Sequence, residues 1–517
     1  MCESEAINRT FIFWFFDAGP ARLRPLHTSA SRAIQTKQPP EHEKNQRPRE
    51  EHARTQMALF PASLSWTAAC LLLLVLILCL GYCLYVQHIH MKYDHIPGPP
   101  RDSFLFGHSA TYLVYFAVLI CQIFSNHAFL SESVALFSRF LGNGLVTAQD
   151  HEQWYKQRRI MDPAFSSLYL RGLIGTFNER VERLMSKLSD VADNQTEAGM
   201  LQLVNFLTLD VIAKVAFGVD LDLLKDRSRF PKAVQTCLKG MVFSVRDNFF
   251  YNPKNRSFIE DVREACRLLR TTGAQWIKDR KTAMESGDDV PNDILTQIIK
   301  SAVKEEIMTE EDEELMLDNF MTFFIAGHET TANLLAFCIM ELTRLPDVLE
   351  KVKKEVDDVI GMKQDITCDD LGKLVYLSQV LKETLRIYPT APGTSRDVLQ
   401  DIVIDGIHIP GGVTCFFSSY VTGRMDKFFK DPLTFDPDRF HPDAPKPYFC
   451  YYPFALGPRA CLGKNFAQME AKVFMAKLVQ RFDFSLLPGQ TFDLEDCGTL
   501  RPKSGVVCSV RHRDHNK

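Results

Sequence analysis

The sequence predicts a mainly α (α+β) protein: a helical bundle with a small β-rich subdomain, preceded by a single transmembrane helix. Three observations predict it. No Asp, Glu, Lys or Arg occurs from Thr55 to Met91, and the centre of that stretch, Trp66 to Val86, is almost wholly apolar. From Trp154 onward, apolar residues recur at helical spacing. Short alternating segments come later, as in Asp401 to Pro410, and helices followed by a strand-rich patch is an α+β order. Composition agrees, since 517 residues that are 46% hydrophobic and 24% charged can bury a large core. A net charge of −4 without a long basic run argues against a nucleic-acid partner. The 14 cysteines are scattered without a C-x-x-C pair, which points to reduced thiols on the cytosolic side of a membrane rather than to a secreted disulfide scaffold.

The expected organisation is an N-terminal extension over 1–56, an anchor and hinge over 57–96, and a catalytic domain over 97–517. Ala21 to Gln38 carries Arg22, Arg24, Arg32 and Lys37 and no acid, the composition of a mitochondrial presequence. Both charge signs mix from Glu41 to Glu51, which fits disorder equally, and Met57 directly precedes a standard anchor. A disordered extension, from a misplaced start site, is the preferred expectation. The apolar stretch of about 20 residues is long enough to cross a bilayer as a helix, with a buried core helix as the alternative. Pro97-Gly98-Pro99-Pro100 predicts a stiff spacer after it. Further on, the spacing predicts a helix over Leu203–Phe217 capped by Gly218 and a central buried helix over Leu315–Leu342 ending before Pro346. Another runs over Leu377–Ile387 to Pro389, and a hairpin turns at Asp405-Gly406.

The chemistry concentrates in Phe454 to Gly463, F-A-L-G-P-R-A-C-L-G. Cys461 is held between Gly457, Arg459 and Gly463, with Phe454 seven positions upstream. A thiolate serving as an axial ligand of haem iron needs glycines that let the backbone approach the ring, N–H groups aimed at sulfur, a cation for a propionate and an aromatic shield. The bland alternative is a free core cysteine beside a Gly-rich turn. The decapeptide resembles the haem-binding loop of the cytochrome P-450 superfamily, which implies the haem-thiolate fold and haem b (iron protoporphyrin IX) as cofactor.

Other motifs extend the resemblance. In the central helix, Ala326-Gly327-His328-Glu329-Thr330-Thr331 places Ala326 and Thr330 on one face. Small residues at 326 and 327 leave room for a ligand, and a hydroxyl and a carboxylate inside an apolar helix are costly without partners. The resemblance assigns Thr330 to hydrogen bonding of dioxygen at the haem and Glu329 to proton relay. A Thr bonded back to its own helix is the alternative, and His328 reads as a packed histidine. Glu383 and Arg386, three apart on a helix, resemble with Arg439 the superfamily's buried Glu-Arg-Arg cluster, a structural role. Trp154 and Arg158 match its W-x-x-x-R pattern, and with Arg396 and Arg459 form a candidate propionate set. Lys156 and Arg159 read as a solvated face able to dock an acidic redox partner.

The blocks 323–330, 376–386, 431–440 and 444–449 look like those of sterol 24-hydroxylases, from about Leu141 to the end of the chain. This implies a membrane-bound monooxygenase that hydroxylates a cholesterol-like side chain with O2 and electrons from NADPH through a reductase. It also implies the endoplasmic reticulum membrane with the domain facing the cytosol, a mitochondrial location being the alternative. Two departures stand out. Pro392 and Ser395, in T-A-P-G-T-S-R, replace bulkier residues expected near the substrate, where Ala326 and Pro392 are the candidate contacts. Only 53 residues lie between Pro100 and Trp154, so several tens of residues are missing from the expected pattern around 108–140, and Tyr112 to Phe124 matches nothing in it. The alternatives are a haem-binding pseudoenzyme with an impaired pocket and a haem-thiolate isomerase, against which Thr330 speaks.

Overall fold

A computed structural model of the chain describes residues 50–96, 104, 140–148, 150–224, 229–246, 253–304 and 310–515. Residues 1–49, the Pro97–Pro100 spacer and the Tyr112–Phe124 run lie outside the described residues. Two compact units are distinguished, one from residues 1–111 and 398–413, the other from the rest.

The first unit carries α1 (Glu50–Tyr93) and the hairpin of β3 (Ile402–Ile404) and β4 (Ile407–Ile409). Helix α1 starts within the expected extension, so Glu50 to Gln56 are helical. It also continues through the polar residues expected to form a hinge, as far as Tyr93. Three described helices are long and apolar enough to cross a membrane. Met200–Phe217 and Asp312–Arg344 have 67% and 83% of their most apolar stretch buried, which identifies them as core helices, whereas Ala69–Tyr93 has 6% buried.

The second unit contains α2 (His151–Met161), α3 (Ser167–Arg171), α4 (Ile174–Asp193), β1 (Glu197–Gly199), α5 (Met200–Phe217), α6 (Phe230–Arg246), α7 (Arg256–Glu285), α8 (Ile294–Lys304) and α9 (Glu310–Arg344). It continues with α10 (Pro346–Val359), α11 (Cys368–Lys373) and α12 (Val375–Ile387). Strands β2 (Gly393–Val398) and β5 (Val413–Ser418) pair. Then come α13 (Ser419–Thr422), α14 (Lys464–Arg481), β6 (Phe482–Leu486), β7 (Leu494–Asp496), β8 (Leu500–Pro502) and β9 (Val507–His512). Strand β9 lies between β1 and β6 in an antiparallel sheet, and β7 pairs with β8. The mainly helical plan with small sheets is the expected one.

Local chemistry sets the helix ends. Gly218 closes α5 at φ 69°, its N–H bonded to the Lys214 carbonyl while Val219 reaches back to Ala213. The Glu355 carboxylate from α10 accepts the Tyr376 and Leu377 N–H groups at 2.6 and 2.8 Å, satisfying the start of α12. Helix α9 threads the core against α5, α7, α12 and α14. Phe320 and Phe324 on α9 meet Phe217 at ring distances of 4.2 and 5.0 Å, and Trp276 and Phe230 complete the aromatic cluster. Gly327 lies against Ile212 of α5, whose Cδ1 would stand 2.8 Å from a Cβ. The space at 327 therefore serves helix packing, which corrects the expectation that Gly327 leaves room for a ligand.

A polar clamp fastens the segment before α2 to α9. Asp318 Oδ2 accepts the Asn143 N–H and Asn319 Oδ1 the Leu145 N–H, both at 2.7 Å, and Arg270 holds Asp318 from α7. Gln157 links Asn319 at 2.6 Å to the Asn143 carbonyl at 3.0 Å. The clamp fixes Ala148, whose carbonyl the site uses.

Candidate functional site

The Cys461 loop is built by its own backbone. Cys461 N–H donates to the Phe454 carbonyl at 2.8 Å and Ala460 N–H to Gly457 at 3.0 Å. Ala455 at φ 55° and Gly457 at φ 74° supply the left-handed turns that reverse the chain, at Gly457 without steric cost. Gly463 ends the loop as the N-cap of α14, and its N–H points at the Cys461 sulfur. Two arginines clasp the loop to the α2 region. Arg158 Nη1 donates to the Ala460 carbonyl at 2.8 Å while its Nε holds Asp162 at 2.7 Å. Arg459 Nη1 donates to the Ala148 carbonyl at 3.0 Å, and its guanidinium lies 4.2 Å over the ring of buried Trp154.

Cys461 combines two properties that rarely coincide. Its side chain is solvent-accessible, yet burial is the largest influence on the thiol and pushes it up, against the Gly463 N–H, Arg158 and Lys464. The thiol is thus reachable by water while protein surrounds it closely enough to desolvate it. Buried Cys338 and Cys415 are instead packed shut.

Arg396 and Arg459 tell the same story. Desolvation lowers both guanidinium pKa values, and Arg459 is lowered further by Arg396, so two like charges share a low-dielectric environment. Arg396 bonds only along its own strand, to Thr394 Oγ1 at 2.9 Å and the Ser395 carbonyl at 2.6 Å, and among the described residues no carboxylate pairs with either arginine. Two like-charged arginines that no carboxylate pairs among the described residues, next to an accessible thiol, fit a dianionic iron macrocycle. Of the other two candidates for that site, Trp154 carries Arg459, and Arg158 bonds Asp162 and the loop carbonyl of Ala460.

On α9, Ala326 is exposed in the middle of an otherwise buried stretch. Thr330 shares its face and donates Oγ1–H to the Ala326 carbonyl at 2.8 Å, which is the back-bonded geometry, leaving the hydroxyl lone pairs free to accept. His328 is buried, donates Nδ1–H to Phe324 O at 2.5 Å, and burial lowers its pKa to about 4: a packed neutral histidine. Glu329 is buried, and desolvation raises it to about 7 against Arg501 and a hydrogen bond with Thr499. Among the described residues its Oε2 has no hydrogen-bond partner. Thr499 also accepts from Asn333 at 2.9 Å. Sequence reasoning missed Thr499 and Arg501, because a two-strand hairpin far along the chain carries no motif.

Glu383 and Arg386 form a fully buried fork, with Nε and Nη2 each 2.7 Å from a carboxylate oxygen. Glu383 also accepts the Asp436 N–H at 2.8 Å and meets Arg439 Nε at 3.4 Å, while Arg386 Nη1 holds the Gly423 and Pro432 carbonyls. Beside this network, Tyr451 donates to Lys382 O on α12 and packs on Phe440. Phe454 is half-buried against the core. Pro392 is buried, with its carbonyl accepting the Tyr420 N–H at 3.1 Å. Lys156 is exposed and pairs with Asp312 at 3.0 Å. A different basic group exists: Lys382 is lowered by desolvation and by Lys464 and Lys446 together.

Comparison with known proteins agrees with this geometry. A family model described as cytochrome P-450 matches residues 85–509. Probable cytochrome P-450 4e1 of Drosophila melanogaster is 30% identical over 412 residues, 75% of this chain and 76% of that protein. Cytochrome P-450 3A6 of Oryctolagus cuniculus is 30% identical over 387 residues, 71% and 76% of the two chains. Echinocystic acid 23-monooxygenase of Saponaria officinalis is 31% identical over 411 residues, 75% and 77%.

Proposed function

The chain belongs to the cytochrome P-450 family, and from that premise we propose that it is a membrane-bound monooxygenase hydroxylating the side chain of a sterol, in the manner of a cholesterol 24-hydroxylase. The observation that carries the monooxygenase reading is Cys461, recessed yet accessible, in a loop clasped by two arginines. The sterol assignment is supported by the blocks 323–330, 376–386, 431–440 and 444–449. Haem, bound through Cys461, would supply reductive activation of dioxygen and insertion of one oxygen atom into a C–H bond.

The residues divide the remaining work. The Gly463 N–H, Arg158 and Lys464 at the start of α14 would favour the thiolate of Cys461 against the burial that disfavours it, and so would help it hold a haem iron. Arg396 and Arg459 would take two carboxylates. Thr330 can accept or donate a proton at Oγ1 on the Ala326 face, and Glu329, raised to about 7, can hold or release one near neutrality. Ala326 leaves that face open for substrate. Lys382, Lys446 and Lys464, with exposed Tyr448 and Phe449, form the face we assign to an acidic NADPH-dependent reductase. Helix α1 would anchor the chain in the endoplasmic reticulum membrane.

The test combines the absorption spectrum of the reduced protein under carbon monoxide with the cholesterol-induced spectral shift and product mass spectrometry. A thiolate-type spectrum with side-chain hydroxylation is expected. A thiolate-type spectrum with no sterol shift and no product would select the pseudoenzyme, and its absence would overturn the haem-thiolate reading.

A further inference from the structure

Two thiols face each other between α6 and α7. Cys237 Sγ of α6 and Cys266 Sγ of α7 lie 3.6 Å apart, and both residues are buried. The monooxygenase reading uses neither. Among the described residues no third His, Cys, Asp or Glu joins them to complete a metal site, so the chemistry open to the pair is that of two sulfurs alone.

The helices are shaped for this approach. Gly240, three residues after Cys237, stands against Val262, four residues before Cys266, and a Cβ at 240 would fall 2.7 Å from Val262 Cγ2. Residues 237 and 240 therefore face 266 and 262 in antiparallel order, and the missing Cβ lets the two helices close up. The remaining gap to a sulfur–sulfur bond is about 1.5 Å, within reach of χ1 rotation on closely packed helices.

The two thiols are not equivalent. The hydrogen bond from Cys237 lowers Cys266 most, against desolvation, and the Arg270 guanidinium one turn further along α7 lowers it again. The same bond raises Cys237, and burial adds to it. Cys266 is thus the nucleophile of the pair and Cys237 the resolving partner. With Cys237 2% and Cys266 6% exposed, a bulky oxidant is excluded and one near the size of water is selected.

We propose that Cys237 and Cys266 are a site of reversible oxidation by hydrogen peroxide, closing to a disulfide that ties α6 to α7. The Cys266 thiolate attacks the peroxide, the O–O bond breaks, hydroxide leaves and Cys266 becomes a sulfenic acid. Cys237 sulfur then forms the S–S bond while the S–O bond breaks, and the second oxygen leaves as water with the Cys237 proton. The two thiols give up two electrons and two protons, and the peroxide becomes two waters. A thiol reductant reverses the change, as fits a chain whose other cysteines point to a reducing environment. The bond joins two helices that already share a ring contact. Phe230 of α6 stacks on Trp276 of α7 at 5.7 Å, and Trp276 meets Phe320 of α9 at 5.7 Å. The tie therefore stiffens the aromatic cluster packed against α9.

The test treats the reduced full-length protein in detergent with hydrogen peroxide, alkylates the remaining thiols in denaturant and digests with trypsin. Peptides 233–239 and 264–267 each carry one of the two cysteines. The expected result is a linked pair lighter than its components by two hydrogens, with loss of both alkylated forms. The link should disappear with dithiothreitol, and in Cys237→Ala and Cys266→Ala. Amide exchange in α6 should slow in the linked form. Recovery of both peptides as alkylated thiols, or of Cys266 as sulfinic acid beside a free Cys237, would overturn the proposal. A mixture of isotope-labelled and unlabelled chains checks the connection, since linked peptides of mixed mass would place the bond between copies and overturn it. A linked form with unchanged amide exchange would overturn the tie between the helices.

Discussion

Replacing Arg386 by alanine tests how the haem-side scaffold is held. The pair with Glu383 adds little net stability as a pair, because desolvating two charges offsets most of their attraction. Losing one partner is a different matter. Glu383, fully buried, would keep its charge with only the Asp436 N–H and the longer Arg439 contact, and three carbonyls, of Gly423, Pro432 and Thr434, would lose a donor. An uncompensated buried partner costs about 3–5 kcal/mol, a large share of the roughly 5–15 kcal/mol that stabilises a domain. Arg439→Ala is the internal comparison. Its side chain is 14% exposed and sits 3.4 Å from Glu383, so about 1–2 kcal/mol is expected. Arg386→Lys keeps the charge, loses the fork and should fall between them. Guanidinium unfolding followed by tryptophan fluorescence gives the three values, and haem retention gives a second reading. Equal losses for the two alanine variants, or a loss below about 1 kcal/mol for Arg386→Ala, would refute the reasoning from unpaired buried charge.

Four further outcomes are expected. Cys461→Ala abolishes the red-shifted carbonmonoxy band while replacement of Cys338 or Cys415 spares it; a surviving band would remove Cys461 from the iron. Thr330→Ala keeps sterol binding but lowers product per NADPH about 10-fold and releases peroxide instead, the scale of a positioned proton-transfer group; unchanged coupling would reduce Thr330 to its helix bond. Glu329 is raised from 4.5 to about 7, so its favourable protonated state is fully present below about 4.5 and lost as pH rises through about 7. Glu329→Gln should therefore gain on the unmodified protein between those values, by on the order of 3 kcal/mol, in denaturant midpoints taken at pH 5 and pH 8. Lys446→Glu with Lys464→Glu should slow electron delivery at low salt, with the difference shrinking as salt is added; a salt-independent rate would place the reductase elsewhere.

Much of the architecture was legible because it is written locally. Gly218 ends α5, Pro389 follows α12, and Asp405-Gly406 turns the hairpin, each through backbone preferences that act within a few residues. The Cys461 decapeptide is legible for the same reason, since its conformation is closed by its own amides. Partners that come from afar were not. Nothing near Glu329 announces Thr499, and nothing near Arg459 announces the Ala148 carbonyl, because such pairings depend on topology rather than on spacing. Arg158 illustrates the limit: its residue type and position were read, but its bonds to Asp162 and to the Ala460 carbonyl, the latter 302 residues away, were not. Gly327 reads as ligand space in a sequence and proves to be a contact with Ile212.

The two-arginine clasp has a consequence for how the chain matures. Arg158 and Ala460 are 302 residues apart and Arg459 and Ala148 are 311 apart. At roughly 5–20 residues per second, synthesis of that interval takes about 15–60 s, during which one half of the clasp has no partner. Helix pairs near in sequence, such as α6 with α7, can pack within that interval. The clasp around the Cys461 loop therefore cannot close until nearly the whole chain has been made, and cofactor retention that depends on it is expected only then. Any lesion that delays closure, wherever it lies, prolongs an open, cofactor-free species exposed to proteolysis and aggregation.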